Sequence, residues 1–338
     1  MRAALREAAK GIGLTSPNPA VGAVIVAGEK IIARGWHHAA GQPHAEIEAL
    51  RKTKKARGAT LYVTLEPCST HGRTPPCTEA IVAEGIGRVV IGAIDPNPAH
   101  AGRGVKILKK AGVAVTAGVL AADCEALNKS FNKWIVTGLP YVHAKAGMSL
   151  DGRITRPPGE GQWITSPTSR AHAQKLRARV DAILIGAGTL RADNPRLTVR
   201  DVEGPPAARQ PWRVVLTRSG DLPRGAHLFT DAHKDKTLVY THRSLRAVLR
   251  DLGKRGITSI LIEGGGDVLG QAFDARLVDE AHFYIAPLLL GGPKPAVAGL
   301  GAASNDAGAR IKNPRYENIG GDLYVFGEVE YPRISSKR

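Results

Sequence analysis

His44, Glu46, Cys68 and Cys77 are the residues of this chain whose types and spacing could do chemistry. One imidazole and two thiolates would give Zn²⁺ three protein ligands, His44, Cys68 and Cys77. The fourth tetrahedral position stays open for water, as in catalytic rather than closed structural sites. Zinc in such a site makes hydroxide available at neutral pH. Glu46, two residues after the imidazole, can carry the proton of that water to a departing amine, which makes it the expected general acid and base. His-x-Glu followed by Pro67-Cys68 is the pattern of zinc deaminases, which hydrolyse an exocyclic amino group from a base ring. A closed structural knot would want a fourth Cys or His. His71 and Cys124 stand at spacings that no common knot uses.

Residues 69–76 separate the two cysteines by eight positions, where deaminases of bases typically have two. That longer loop carries His71 and Arg73, an imidazole and a guanidinium that could hold a polar, phosphorylated substrate beside the metal.

The second half has glycine-rich turns at strand ends. Gly186-Ala187-Gly188-Thr189 follows one apolar run, and Glu263-Gly264-Gly265-Gly266 follows another just before a helical pattern. Such turns let backbone amides approach a phosphate at a helix N-terminus. Neither is a GxGxxG, and no GxxxxGK[ST] occurs, so the common dinucleotide and P-loop fingerprints are missing. Two such turns at strand carboxyl ends nevertheless predict a nucleotide cleft.

Around these residues, strands alternate with helices. Val21 to Val26 and Lys30 to Gly35 predict a strand pair across Gly28, Ala45 to Arg51 a helix, and Thr60 to Leu65 a strand. Thr78 to Glu84 is helical, Arg88 to Ile94 a strand, Val105 to Ala111 a helix, and Val113 to Ala117 a strand. This rhythm reads as an α/β sandwich. It places His44-x-Glu46 and Cys77 at the N-terminal ends of two helices, where partial positive charge favours thiolate and hydroxide. Leu120 to Val136 predicts one helix, stopped by Gly138 and Pro140, which sets the expected domains at 1–140 and 141–338. Six strands are predicted in the second domain: Tyr141 to Ala146, Ala182 to Gly186, Arg213 to Thr217, Thr237 to Tyr240, Ser259 to Glu263 and Ala281 to Ile285. Helices are expected over Ser166 to Ala178, Leu245 to Lys254 and Asp267 to Phe273.

At 338 residues, each half can bury a core of its own. No apolar stretch approaches 18 residues, and the Arg- and Lys-bearing N-terminus lacks a signal-peptide pattern, so a cytoplasmic protein with no membrane partner is expected. Three cysteines, two claimed by metal, fit a reducing compartment, with Cys124 as a small buried hydrophobe. The net charge is +17. It is spread evenly, with 18 Lys and Arg against 10 Asp and Glu in residues 1–140, and 29 against 20 in the remainder. The one dense basic cluster, 51–57, has no aromatic residues interleaved, so no nucleic-acid partner is expected. The charge suits small phosphorylated substrates.

Motifs in order across both halves carry a resemblance that covers almost the whole chain. Thr15-Ser16-Pro17-Asn18-Pro19-Ala20-Val21-Gly22, Pro43-His44-Ala45-Glu46, the run from Thr64 to Cys77, and Asp95-Pro96-Asn97-Pro98 resemble the deaminase half of the RibD family, bifunctional deaminase/reductases of riboflavin biosynthesis. Lys145 to Arg153, Gln162-Trp163-Ile164-Thr165-Ser166, Asp193 to Arg200 and Glu263-Gly264-Gly265 resemble its reductase half. The resemblance implies a cytidine-deaminase-like three-layer α/β sandwich followed by a dihydrofolate-reductase-like α/β domain. It implies hydrolysis of the C2 amino group of 2,5-diamino-6-ribosylamino-4(3H)-pyrimidinone 5′-phosphate, then NADPH-dependent reduction of the ribosyl chain of 5-amino-6-(5-phosphoribosylamino)uracil to ribityl. The cofactors implied are Zn²⁺ and NADPH, and a homo-oligomer is expected.

Carried over residue by residue, the resemblance makes His44, Cys68 and Cys77 zinc ligands and Glu46 the proton carrier. Asn18, His37 and Arg73 would contact the pyrimidine or its phosphate. In the reductase half, Gly147, Trp163, Thr189, Asp193 and the turn Gly265, Gly266, Asp267, Val268, Leu269, Gly270 and Gln271 would meet the cofactor. Arg177, Leu197, Arg200 and Glu263 would meet the substrate. Gly161 departs from the family pattern, which often has Ser there. Arg177 and Arg200 are forked cations suited to the substrate phosphate, and Arg218 is an expected partner for the 2′-phosphate of NADPH. Two other readings compete: a nucleic-acid base deaminase, opposed by the long cysteine spacer, and a non-catalytic zinc-stabilised nucleotide-binding module, opposed by the presence of Glu46.

Overall fold

Short β-branched runs become the strands of the N-terminal unit, Met1–Leu139, and Ala-rich segments become the helices that cover them. The computed structural model describes residues 1–71, 75–154, 163–200 and 209–332. Strands β1 (Gly22–Ala27), β2 (Lys30–Trp36), β3 (Thr60–Leu65), β4 (Arg88–Ala93) and β5 (Ala114–Ala117) form one sheet in the order β2-β1-β3-β4-β5. β1 is antiparallel to both neighbours, whereas β3, β4 and β5 are parallel.

Two glycines set the layers. A Cβ on Gly22 would lie 2.1 Å from the Ala4 carbonyl oxygen of helix α1 (Arg2–Ala9), and one on Gly35 would lie 2.3 Å from the Ala45 carbonyl oxygen of helix α2 (Ala45–Leu50). Gly35 pairs with Ala23, the neighbour of Gly22, so the two glycines face opposite sides of the sheet. Hence α1 and α2 cover opposite faces, and the unit is a three-layer sandwich. Only a residue without a side chain lets α2, which carries Glu46, lie this close to β2. The core between sheet and helices is Ile25, Leu61, Val63, Ile81, Val89, Ile91 and Leu108, all fully buried. Each contributes about 1.5–3 kcal/mol of transfer free energy.

The segment expected as one helix over Leu120 to Val136 is two, α5 (Ala121–Leu127) and α6 (Lys129–Thr137). The break is at Asn128, which leaves helical geometry with φ −117°. Its side chain accepts from Ala20 N–H and donates to Ala20 C=O, an exchange with a distant loop that replaces helical continuity. Gly138 ends α6 in the left-handed conformation, as a helix stop requires.

The C-terminal unit, Pro140–Arg338, is built on an eight-stranded sheet in the order β12-β13-β11-β6-β10-β7-β8-β9. Six strands are parallel: β6 (Tyr141–Ser149), β7 (Ala182–Gly186), β8 (Trp212–Thr217), β9 (Thr237–Thr241), β10 (Ser259–Ile262) and β11 (Glu280–Ala286). The antiparallel hairpin β12 (Arg310–Ile319) and β13 (Asp322–Glu330) extends the edge next to β11 and was not anticipated. β12 is exposed along nearly all its length and contains Pro314 at a register shift, so it has no apolar alternation to betray it.

Helix α7 (Pro167–Arg177) is capped by Ser166, whose hydroxyl accepts from Ser169 N–H, with Pro167 in the first turn. The expected turn after β7 is itself helical, α8 (Ala187–Asp193), followed by α9 (His227–Thr230), α10 (Leu245–Lys254) and α11 (Gly266–Asp274). Fully buried Ile183, Ile185, Leu190, Val215, Leu228 and Leu261 lie at the centre of one core cluster. Among the described residues, no helix is long and apolar enough to cross a membrane.

Candidate active sites

In the N-terminal unit, the end of β3 and the starts of α2 and α3 (Cys77–Ala83) bring His44, Cys68 and Cys77 together. His44 is the residue that caps α2, and Cys77 is the first residue of α3. His44 Nδ1 lies 3.2 Å from Cys77 Sγ and 3.4 Å from Cys68 Sγ, and the three donor atoms all fall within 4.8 Å of one another. Cys77 N–H donates to Cys68 Sγ at 3.2 Å. Contacts from the Cys77 thiol and backbone, together with His44, hold Cys68 down at about 4 against the opposing effect of burial. A nitrogen and two sulfurs converging on one point fit zinc in type, number and spacing.

Glu46 is on the same turn of α2 and only 3% exposed. Burial pushes its carboxyl up to about 7, and the Cys68 charge adds to this. A carboxyl poised near neutrality beside a metal centre can both take and give a proton.

Asn18 and His37 are drawn to the same place. His37 is 2% exposed, and its ring meets that of His44 edge-on at 5.4 Å. His37 Nδ1 lies 3.0 Å from the Pro43 carbonyl, which can only accept, so Nδ1 carries the proton and Nε2 receives the Asn18 amide at 3.1 Å. Burial lowers the His37 pKa, in keeping with this neutral ring. His37 therefore orients Asn18. Glu66, buried just before Pro67-Cys68, accepts the N–H groups of Asp95, Gly102 and Val105 and ties the end of β3 to the start of α4 (Arg103–Lys110). Arg73 lies outside the described residues, as does Gly161.

In the C-terminal unit, a cavity of about 550 Å³ opens at the carboxyl ends of the parallel strands. Of the residues expected there, Gly147, Trp163, Arg177, Thr189, Asp193, Leu197, Arg200, Glu263, Gly265 and Leu269 line it. Gly265 has φ +71°, and a Cβ there would come 3.1 Å from Thr189 Oγ1, so the turn before α11 admits only glycine without strain. Leu197 is buried at φ +50°, an uncommon conformation for a branched side chain. Trp163 is exposed and has the Arg170 guanidinium 4.8 Å from its ring centre.

The rest of the expected cofactor turn does not line the cavity. Gly266 and Gly270 lie flush against the backbones of Pro295 and Ala298, Val268 is buried in the core, and Asp267 and Gln271 are exposed. Arg218 is exposed just beyond β8 and is not among the lining residues.

Arg177 and Glu263, both expected as substrate contacts, line the cavity and are paired with each other. Arg177 Nε is 2.6 Å and Nη2 2.7 Å from the two Glu263 oxygens, and Nη1 donates to the Thr198 carbonyl at 3.1 Å. The guanidinium fork is thus already engaged, which leaves Arg200 as the exposed cation of the two named for the phosphate. The residue that sequence reasoning passed over is Lys145. It lines the cavity, and burial lowers its pKa while the Glu263 charge opposes that shift. Its signal was a lone cation in the apolar run Tyr141 to Ala146.

Comparison with known proteins accounts for both halves. The family model for the "RibD C-terminal domain" matches residues 140–325, and that for the "Cytidine and deoxycytidylate deaminase zinc-binding region" matches residues 1–93. The riboflavin biosynthesis protein RibD of Escherichia coli (strain K12) is 41% identical, covering 96% of this chain and 96% of its own length. Its namesake from Bacillus amyloliquefaciens is 40% identical, covering 96% of this chain and 94% of its own. Among solved structures, Acinetobacter baumannii RibD superposes with a TM-score of 0.90 at 36% identity, covering 97% of each chain. A diaminohydroxyphosphoribosylaminopyrimidine deaminase/5-amino-6-(5-phosphoribosylamino)uracil reductase from Thermotoga maritima has a TM-score of 0.86 at 34% identity, covering 98% of this chain and 97% of its own.

Proposed function

The chain belongs to the RibD family, and on that premise we propose how its two units divide the chemistry. It is a bifunctional deaminase and reductase of riboflavin biosynthesis, with a zinc-binding deaminase half and an NADPH-dependent reductase half. Residues 1–140 hydrolyse the C2 amino group of the diaminopyrimidine ribosyl phosphate, and residues 141–338 reduce the ribosyl chain of the resulting aminouracil to ribityl.

His44, Cys68 and Cys77 would hold the zinc, which when bound would supply a Lewis acid that activates water. Glu46 would take a proton from the attacking water and deliver it to the amino group, so that ring C–N is exchanged for C–O and ammonia leaves. His37 holds the Asn18 amide toward the ring, and Arg73 meets its phosphate.

Reduction adds one hydride from NADPH and one proton. Gly147, Trp163, Thr189, Asp193, Gly265 and Leu269, which line the cavity, would receive the cofactor. Lys145 holds the proton over the cavity floor, Leu197 packs on the substrate, and Arg200 pairs with its phosphate. Arg177 serves indirectly, by fixing Glu263. The protein works as a cytoplasmic homo-oligomer on a small molecule, without nucleic acid or membrane.

The observation that carries this reading is the convergence of His44, Cys68 and Cys77 beside buried Glu46. Supplying the diaminopyrimidine phosphate with NADPH tests it. Ammonia release followed by loss of reduced-nicotinamide absorbance is expected, whereas loss of absorbance without ammonia, or neither signal, would overturn it.

A further inference from the structure

A second group of metal-ligating side chains lies in the C-terminal unit, none of it among the cavity-lining residues: His143 on β6, and Glu280 and His282 on β11. The two strands are parallel neighbours in which Glu280 stands opposite His143, and His282 opposite Lys145. Alternate residues of a strand share a face, so all four side chains are on one side of the sheet.

His143 Nδ1 is 3.2 Å from His282 Nε2, and His282 Nε2 is 3.2 Å from Glu280 Oε1. The three donor atoms lie within 4.8 Å of one another. Donors held by a tetrahedral zinc at about 2.0–2.1 Å stand roughly 3.3–3.4 Å apart. Two of the three edges are therefore within a few tenths of an ångström of a metal's spacing. The N-terminal set provides an internal comparison, since His44 Nδ1 approaches the two sulfurs to 3.2 and 3.4 Å.

Hydrogen bonding at His282 Nε2 serves both contacts only as one N–H shared between two acceptors. A ring nitrogen offers either one proton or one lone pair, and Nε2 has a carboxylate oxygen and an imidazole nitrogen at equal distance. A cation there satisfies both. The outer partners are in place as well. Tyr324 Oη lies 2.7 Å from His282 Nδ1, and Tyr141 Oη donates to the second Glu280 oxygen at 3.3 Å. Contacts of this kind fix the orientation of ligating histidines and carboxylates. His282 is 3% exposed, and His143 and Glu280 are half-buried beside it.

We infer that His143, Glu280 and His282 form a second divalent-metal site, chemically distinct from the thiolate centre. Two imidazoles and a carboxylate select a borderline cation such as Zn²⁺ or Co²⁺ over Mg²⁺ or Ca²⁺. Its effect is to clamp β6 to β11, the strand that also carries the β12-β13 hairpin, and so to stabilise the folded unit by mass action.

Cobalt distinguishes the two sites in the full-length protein. After chelation and removal of the chelator, titration with Co²⁺ should load two ions per chain. One gives the intense thiolate-to-cobalt absorption, and the other only weak visible bands. The full-chain Cys68→Ser/Cys77→Ser variant should retain one ion without the intense absorption. His143→Ala and Glu280→Gln should each lose the weak-band ion, retain the thiolate one, and lose the rise in unfolding temperature that the second equivalent gives the parent protein. Saturation of the parent at one ion, or retention of two ions by both single variants, overturns the inference. Should the single variants misfold, a cysteine double variant that takes up no cobalt does so instead. Uptake of cobalt without any change in unfolding temperature would overturn the clamping role. None of these results depends on which substrates the enzyme uses.

Discussion

Arg177 and Glu263, 86 residues apart in the chain, meet as a two-pronged pair with contacts of 2.6 and 2.7 Å at the mouth of a strand sheet. Both side chains are largely buried, 13% and 6% exposed. Removing one partner leaves the other charged and without its counterion, which typically costs about 3–5 kcal/mol. Glu263→Gln should therefore lower the unfolding free energy of the reductase unit by about that much and abolish reduction, while deamination persists. Denaturant unfolding with both activity assays checks this. The pH dependence has a definite sign. Burial alone would raise the Glu263 pKa, but the Arg177 charge and hydrogen bonds outweigh it and hold the carboxyl below its ordinary value of 4.5. The stabilisation is then complete above that ordinary value and is lost as pH falls through the depressed one. The gap between parent and Glu263→Gln should be widest near neutrality and narrow below about pH 4.5; a gap constant into strong acid would contradict the pairing.

Glu46→Gln should keep its zinc and fold yet lose deamination by about 10²-fold or more, the usual effect of deleting a general acid and base. Reduction of substrate that is already deaminated should be nearly unchanged. Ammonia release and nicotinamide absorbance, measured separately on the same preparation, decide the matter. A parallel collapse of reduction would show that the two activities are not separable in this way.

Lys145→Met should reduce reduction by about 10²-fold, chiefly in kcat, because a buried amine with a lowered pKa is suited to proton transfer. Lys145→Arg keeps the charge but cannot titrate, so it should fail to restore the rate. Recovery with arginine would assign Lys145 a purely electrostatic role. Deamination is the control for folding.

The candidate metal site of His44, Cys68 and Cys77 was legible in the sequence because residue type and spacing alone limit what they can do, and because β3 (Thr60–Leu65) carries an apolar run. The break at Asn128 was not legible. It depends on Ala20, 108 residues away, and nothing near Asn128 in the chain announces that partner. The β12-β13 hairpin was missed for the opposite reason: β12 buries almost nothing, so burial leaves no periodic trace in its sequence. Arg177 and Glu263 were each read as substrate contacts. Identity named them correctly as residues of the cavity, but only three-dimensional pairing reveals that their charges face each other. Lys145 was hidden inside a strand whose apolar residues, Val142, Ala144 and Ala146, speak for burial.

Because Arg177 is engaged by Glu263 and by the Thr198 carbonyl, the proposed function gives the substrate phosphate to Arg200, which lines the cavity and is exposed. Its backbone N–H accepts no such duty, being bound to the Gln174 side-chain oxygen at 3.1 Å, an anchor that holds this stretch of chain against α7. A charge-assisted contact is worth about 1.5–3 kcal/mol. Arg200→Ala should therefore weaken the phosphorylated aminouracil by about ten- to a hundredfold, seen mainly in KM, and leave the dephosphorylated analogue almost unaffected. Rising salt should erode the advantage of the phosphorylated substrate in the parent enzyme and not in the variant. Steady-state kinetics with both substrates is the test: equal losses on the two would remove Arg200 from the phosphate site and return the question to Arg196, the neighbouring cation on the cavity wall.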